Sequence, residues 1–297
     1  MLTQQEFKQW SQQLDLEETT ARAIADIRSS PPTRRVTSRA GNVSGRYPSR
    51  KMGVTIQFES HTVELAGIYQ MEYDSDVLEY YDQPPSIQLL YLSKKKRRVK
   101  ATHTPDFFVL RQRCVGWEEW KTTQELEKLA QKMPNRYVFD GDNRWRCPPA
   151  EDYARAMGLY YRLRTNAEID WVVQNNLQFL EDYFRGSITA VEEKQQAQIY
   201  SQVREKPGIT IAQLISLGCQ PDDIYNMFVQ RQLDIDIHTA NLSNSSDRIK
   251  VFINGQRHLT ERTQPKTNAN SIVVNRVELN VGEKLLWNGR SLEIVNK

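Results

Sequence analysis

Hydrophobic and polar positions change rhythm several times along the chain. Between residues 3 and 28, Phe7, Trp10, Leu14, Ala21, Ile24 and Ile27 recur at near-helical spacing, which predicts one or two helices. Val54–Phe58 then alternates like a strand, and Ser60 stands as N-cap of a helix whose apolar stripe includes Val63, Ile68, Tyr69 and Met71. Ile87–Leu92 predicts another strand, followed by a loop of lysines and arginines. Two β-rich runs, Phe107–Leu110 and Cys114–Lys121, are joined by the polar turn Arg111–Arg113 and predict a hairpin.

Beyond the hairpin, Thr122 and Glu125 form a capping box for a helix over Gln124–Met133, which Pro134 halts. A short strand at Tyr137–Phe139, a helix at Pro149–Met157 and a strand at Leu159–Leu163 follow. Asn166 is expected to cap a helix with the stripe Ile169, Val173, Leu177, Leu180 and Phe184. Strands and helices alternating about a central hairpin predict an α/β domain, a mixed sheet with helices on both faces.

Past a boundary at Gly186–Thr189 the rhythm is helical three times: Val191–Val203, Ile211–Leu217 capped by Thr210, and Asp222–Gln232 opened by Pro221. Alternating runs at Leu233–Ile237 and Ile249–Ile253 complete the pattern of a winged helix. Its recognition helix begins with Asp222 and Asp223, where phosphates would sit, so protein docking is as good an expectation as DNA reading. Short alternating runs at Ile272–Leu279, Leu285–Arg290 and Leu292–Val295 predict a small β-rich C-terminal module. The expected organisation is a helical N-terminal segment and basic arm at 1–51, a catalytic domain at 52–186, a winged-helix domain at 187–255, and a linker with the β-rich module at 256–297.

Composition narrows the class without choosing a function. With 297 residues, 39% hydrophobic and 26% charged, the chain suits an ordinary globular protein of two or three domains. No apolar run approaches a membrane span and the start lacks a signal-peptide profile, so a cytosolic location is expected. Three cysteines far apart, Cys114, Cys147 and Cys219, argue against a disulfide framework or a Cys-rich zinc site.

The net charge is only +3, but it is unevenly placed. Arg34, Arg35, Arg39, Arg46, Arg50 and Lys51 fall in a stretch without an acid, among three prolines and two glycines, which predicts an extended, mobile arm. Lys94, Lys95, Lys96, Arg97 and Arg98 form a second cluster. Both suit phosphate contacts of double-stranded DNA, with a solvated loop as the alternative for each.

The chemistry concentrates at Asp106, Glu119 and Lys121. Alternation along a strand puts Glu119 and Lys121 on one face and Trp120 on the other. An acid ahead of an apolar run, then Glu-x-Lys across a hairpin, is the D…(E/Q)xK arrangement of divalent-metal nucleases. Carboxylates fixed on strands hold Mg²⁺, with Mn²⁺ as a substitute, and the lysine positions water or meets phosphate charge. A surface Glu–Lys pair on an edge strand is the plainer alternative, because so short a pattern arises often by chance. Glu64, alone in a first helical turn, suits a helix-dipole partner.

Val63-Glu64-Leu65-Ala66, Met71-Glu72-Tyr73, Ser75–Leu78, Asp82-Gln83-Pro84, Thr104-Pro105-Asp106-Phe107 and Glu119-Trp120-Lys121 resemble, in order, the motifs of TnsA. That is the endonuclease subunit of Tn-seven-like heteromeric transposases. The resemblance spans roughly residues 50 to 240. It implies a restriction-endonuclease-like fold and Mg²⁺-dependent cleavage of the 5′, non-transferred strands at transposon ends. It also implies a catalytic set of Glu64, Asp106, Glu119 and Lys121, with Glu64, Asp106 and Glu119 as metal ligands and Glu59 as a rival to Glu64. Implied partners are a TnsB-type DDE transposase and a TnsC-type AAA+ ATPase regulator. The last forty residues are similar to the β-module that opens TnsB-type transposases, as in the TnsA–TnsB fusions of some CRISPR-associated transposons. Alternatives are a non-catalytic DNA-binding and assembly subunit that recruits the ATPase, or a restriction or repair nuclease.

Overall fold

A computed structural model describes residues 1–34, 44–142, 144–186 and 190–255, together with the backbone of 284–287 and 290–293. The chain divides into two compact units, Met1–Gly255 and Gln256–Lys297. Helices α1 (Gln4–Gln13) and α2 (Glu18–Ser29) form as the periodicity predicts, α1 opened by a Thr3–Glu6 capping box. Trp10, Ile24 and Ile27 turn into the core, and the Arg28 guanidinium grips the fully buried Glu79 at 2.7 Å.

The expected mobile arm is ordered where it is described. Gly45–Pro48 is a strand, β1, paired antiparallel with β2 (Thr55–Phe58). Helix α3 (Glu64–Tyr73) follows, with Val63 in the cap position and Ser60 Oγ accepting from the Val63 amide at 3.3 Å, one turn short of the expected Ser60 cap. The Lys51 ammonium donates to the carbonyls of Met71, Asp74 and Val77 at 2.6 to 2.8 Å, closing the C-terminal end of α3. The buried carboxylate of Glu72 accepts from the Arg50 and Lys51 amides at 2.8 and 2.9 Å. The segment looked unpartnered because these acceptors lie some twenty residues downstream. Arg35 and Arg39 lie outside the described residues.

Strands β3 (Val77–Asp82), β4 (Ile87–Leu92), β5 (Arg98–His103), β6 (Phe107–Arg111) and β7 (Val115–Lys121) come next. The stretch expected as a basic loop is therefore half strand: β4 and β5 form a separate antiparallel hairpin with its turn at Ser93–Arg97. Helix α4 (Thr123–Lys132) carries the anticipated Thr122–Glu125 capping box. The short pair β8 (Val138–Phe139) and β9 (Trp145–Arg146), helix α5 (Pro148–Arg155) and strand β10 (Tyr160–Thr165) complete the sheet region.

The main sheet runs β10-β7-β6-β3, with β10 parallel to β7 and the other neighbours antiparallel. This mixed sheet, covered on both faces, fits a restriction-endonuclease-like fold. On one face Phe108, Leu110, Trp117, Tyr161 and Leu163 pack against residues of α1, α2, α4 and α5. On the other, Phe107, Val109 and Trp120 pack against α3. Two glycines allow close approaches within this region. A Cβ at Gly116 would meet the Tyr160 carbonyl oxygen at 1.9 Å, and one at Gly67 would meet the Trp120 indole at 2.6 Å.

The single helix expected from Asn166 is broken. Asn166–Glu168 is a 3-10 turn, α6 (Trp171–Phe179) is capped by Asp170 through the Val172 and Val173 amides, and α7 (Glu181–Arg185) follows. Asn166 instead accepts from the Thr123 amide at 2.9 Å, bridging β10 to α4, so its oxygen is spent outside its own helix.

Helices α8 (Glu193–Glu205), α9 (Ile211–Ser216, after strand β11, Ile209–Thr210) and α10 (Pro221–Val229) close over an antiparallel sheet. Its order is β11-β13-β12, with β12 at Leu233–Ile235 and β13 at Lys250–Ile253. Buried Asn176 ties this region to α6: its amide donates to the carbonyls of Ile237 and Ala240 at 2.8 Å, and its oxygen accepts from the Leu242 amide at 2.7 Å. In the second unit, β14 (Lys284–Trp287) pairs antiparallel with β15 (Arg290–Glu293); the strand expected at 272–279 lies outside the described residues. No helix among the described residues is long and apolar enough to cross a membrane.

Candidate active site

The hairpin β6–β7 brings the three chemical residues to one end of the sheet. Asp106 precedes β6, and its Oδ2 accepts from the Trp120 amide at 2.7 Å, which pins the carboxylate across the hairpin between Glu119 and Lys121. Those two side chains share a face, with Lys121 Nζ 2.8 Å from Glu119 Oε1. Trp120 points through the sheet onto Gly67, and this contact seats α3, whose first residue is Glu64. The Glu64 Oε2 atom accepts from the Glu59 amide at 2.8 Å, so Glu59 lends its backbone to hold Glu64. Glu64, Asp106, Glu119 and Lys121 line one cleft of about 750 Å³, with Arg34 and Arg136 also in its wall.

Burial sets the electrostatics. It pushes the Asp106 carboxyl up, against the pull of Lys121 and with a push from Glu119. It pushes Glu64 up as well, and the neighbouring Asp106 adds to that shift. Glu119 is buried too, but the Lys121 charge and a hydrogen bond from His103 outweigh burial and hold its carboxyl well below the usual range. Lys121, despite its own burial, is held charged by Glu119 and Asp106.

Residues 74–166, which contain Asp106, Glu119 and Lys121, match the family model described as TnsA-like endonuclease N terminal. This segment is similar to TnsA-like endonuclease domains. The resemblance carried by the motifs is thus borne out for that stretch. Glu64 stands ten residues ahead of the matched stretch. No curated protein matches the chain.

The matched segment surrounds Glu119 with residues outside the sequence motif. His103 Nε2 lies 3.3 Å from Glu119 Oε2 and 2.8 Å from the Tyr161 hydroxyl, which itself hydrogen-bonds Glu119 Oε2. Arg136 donates to His103 Nδ1 at 3.1 Å. The sequence showed only that Tyr161 and Leu163 share a strand face; that β10 sets Leu163 opposite Glu119 is decided by the sheet. For His103 and Arg136 there was no signal, since their roles depend on which strands become neighbours.

Glu64, Asp106 and Glu119, expected to share a metal, line the same cleft. Among the described residues no three His, Cys, Asp or Glu side chains are gathered closely enough to hold a metal ion. Both Glu119 oxygens are engaged, one by Lys121 and the other by Tyr161 and His103. Asp106 and Glu64 each spend one oxygen on a backbone amide and keep the other free of hydrogen bonds within the described residues. Two buried carboxylates, Asp106 adding to the upward shift of Glu64, form the kind of donor set a hard divalent cation takes.

The cations expected on DNA fall into separate groups. Arg34 lies in the cleft wall, bonded to Gln83 Oε1 at 2.6 Å and paired with Glu59 at 3.2 Å. Arg46 and Arg50 are exposed, whereas the Lys51 ammonium is committed to the end of α3. Lys94, Lys95, Lys96, Arg97 and Arg98 are exposed on the β4–β5 hairpin.

Proposed function

We propose that the chain is a Mg²⁺-dependent endonuclease that cleaves the 5′, non-transferred strands at the ends of a DNA transposon. One observation carries the reading: within a segment matching the TnsA-like endonuclease family, a buried Asp106 with a free oxygen faces Glu64 on one side and the 2.8 Å Glu119–Lys121 pair on the other. Asp106 and Glu64 would hold the cation, and Glu119 would join them by exchanging its Tyr161 and His103 partners for the metal. Bound there, Mg²⁺ or Mn²⁺ supplies charge neutralisation on the attacking and leaving oxygens of the phosphodiester. The Lys121 ammonium, kept charged by its two carboxylate neighbours, orients the attacking water or meets the developing phosphate charge. Arg34 at the cleft wall and the exposed cations supply phosphate contacts to duplex DNA.

The α8–α10 region with its three-stranded sheet supports a winged-helix reading of residues 187–255, a platform for the TnsC-type ATPase as much as for DNA. The alternation at 272–295 supports a TnsB-like module and hence a TnsA–TnsB fusion of CRISPR-associated type; the reading frame beyond Lys297 tests it. A cytoplasmic, nucleoid-associated setting follows from the substrate.

The deciding experiment is Asp106→Ala in a transposition assay with the partner transposase. The 5′ strands stay uncut while 3′ joining continues, so products shift from simple insertions to cointegrates. Simple insertions at the wild-type ratio would overturn the assignment.

A further inference from the structure

The β4–β5 hairpin has a face that nuclease chemistry leaves unexplained. Its inner face, Ile87 and Leu89, is buried in the core, and Asn135 Nδ2 holds the Leu92 carbonyl at 2.8 Å, so the hairpin is a fixed ledge. Its outer face consists of three cross-strand pairs, Gln88 with Thr102, Leu90 with Lys100 and Leu92 with Arg98. Residues directly opposite in an antiparallel pair share a face, and all six of these are exposed. Leu90 is 69% and Leu92 49% exposed, unusual for leucines on a strand. Residues 86–103 contain no acid, and among the described residues the hairpin's ion-pair contact is that of inward-facing His103 with Glu119, none being formed by its lysines and arginines. Thr102 at one end lines the cleft of Asp106 and Lys121.

We propose that this outer face lies in the major groove of duplex DNA and reads base sequence beside the cut. The claim rests on the endonuclease reading and goes beyond it, because it places sequence recognition in the catalytic domain itself. Charge chooses the occupant: an acid-free ledge with a tip of Lys94, Lys95, Lys96 and Arg97 complements a polyanion. Width chooses the groove, since a major groove about 12 Å wide admits a two-stranded ribbon and a minor groove about 6 Å wide does not. Chemistry matches the contents. Leucines suit thymine methyl groups, Gln88 suits adenine, and Lys100 and Arg98 suit guanine, while the tip residues reach phosphates. From Thr102 to Arg98 is four strand steps, about 14 Å, which equals about four base pairs of duplex rise. The bases read should therefore lie within about four pairs of the scissile phosphate.

The test is selection of binding sites from a randomised duplex pool by the 297-residue chain in EDTA, where no cleavage occurs and failure of the nuclease reading cannot interfere. Wild type should enrich a short motif. Leu90→Ser/Leu92→Ser, surface changes checked by an unaltered melting curve, should lower preference for that motif roughly tenfold, at an unchanged dependence of affinity on salt. Replacing Lys94, Lys95, Lys96 and Arg97 by alanine should weaken binding to all duplexes alike and flatten the log–log salt slope by up to about 3 to 4 units. The same thymine positions replaced by uracil should reproduce the leucine loss. A wild-type pool with no motif overturns the proposal, as does a leucine variant that keeps the motif. Unchanged DNA binding by both variants would leave the face to a protein partner and overturn it equally.

Discussion

The Arg136 guanidinium donates to Nδ1 of His103 at 3.1 Å, and that one contact fixes the proton on the other ring nitrogen. A guanidinium has no acceptor, so Nδ1 must be bare and Nε2 must carry hydrogen. Nε2 then donates toward Tyr161 and Glu119, and Glu119 is held from one side by His103 and Tyr161 and from the other by Lys121. Nitrogen-15 NMR of the imidazole in the metal-free protein should show the Nε2–H tautomer near neutral pH. Arg136→Met should mix in the other tautomer. Observation of Nδ1–H in the wild type would show that the network is wired differently.

Lys121→Ala should abolish strand cleavage but leave Mg²⁺ binding measurable by calorimetry, because the free carboxylate oxygens belong to Asp106 and Glu64. Loss of metal binding in this variant would mean that the ammonium organises the ligands instead of acting on water or phosphate.

Gly67→Ala tests how Glu64 is placed. The added methyl would stand 2.6 Å from the Trp120 indole, a stiff ring already buried, so α3 has to lift. Overpacking of this kind costs about 1–3 kcal/mol. The expected result is a folded protein with a lower melting temperature and cleavage reduced at least tenfold, since a small displacement of a ligand is costly. Full activity would separate Glu64 from the chemistry.

Stability of the metal-free protein should fall with rising pH. Glu64 is pushed up to about 8 by burial and by Asp106, so the folded state holds a proton that the unfolded chain releases from about pH 4.5 upward. The penalty is absent below the unfolded value, grows through the interval, and is complete above about 8. Glu64→Gln removes it. In EDTA at pH 8 this variant should melt above the wild type, each 1 kcal/mol being worth about 2–4 °C, whereas at pH 4.5 the advantage should vanish. A wild type whose melting temperature is flat from pH 5 to 8 would refute the shift.

Asn176→Ala should loosen residues 193–253 from α6. Three buried backbone groups lose their partner, at about 1–3 kcal/mol each. Calorimetry should resolve a separate early transition for the C-terminal helices; a single unshifted transition would show that the apolar contacts suffice.

Local chemistry was legible in the chain. The Thr122–Glu125 capping box, the hairpin about Arg111–Arg113 and the shared face of Glu119 and Lys121 depend on neighbours within a few residues, and dihedral geometry settles them. What the chain could not reveal is which distant groups meet. Lys51, read as a free cation, caps α3 because three carbonyls from residues 71, 74 and 77 converge on it. Asn166, read as a helix cap, serves α4 once β10 lies beside β7. The partners of Glu119 came the same way: His103 from one hairpin, Tyr161 from a parallel strand and Arg136 beyond α4 arrive only when the sheet closes. Sequence spacing determined the hairpin that carries the motif, whereas tertiary packing decided which oxygens of that motif stay free, because desolvation and hydrogen-bond competition act between segments the chain keeps far apart.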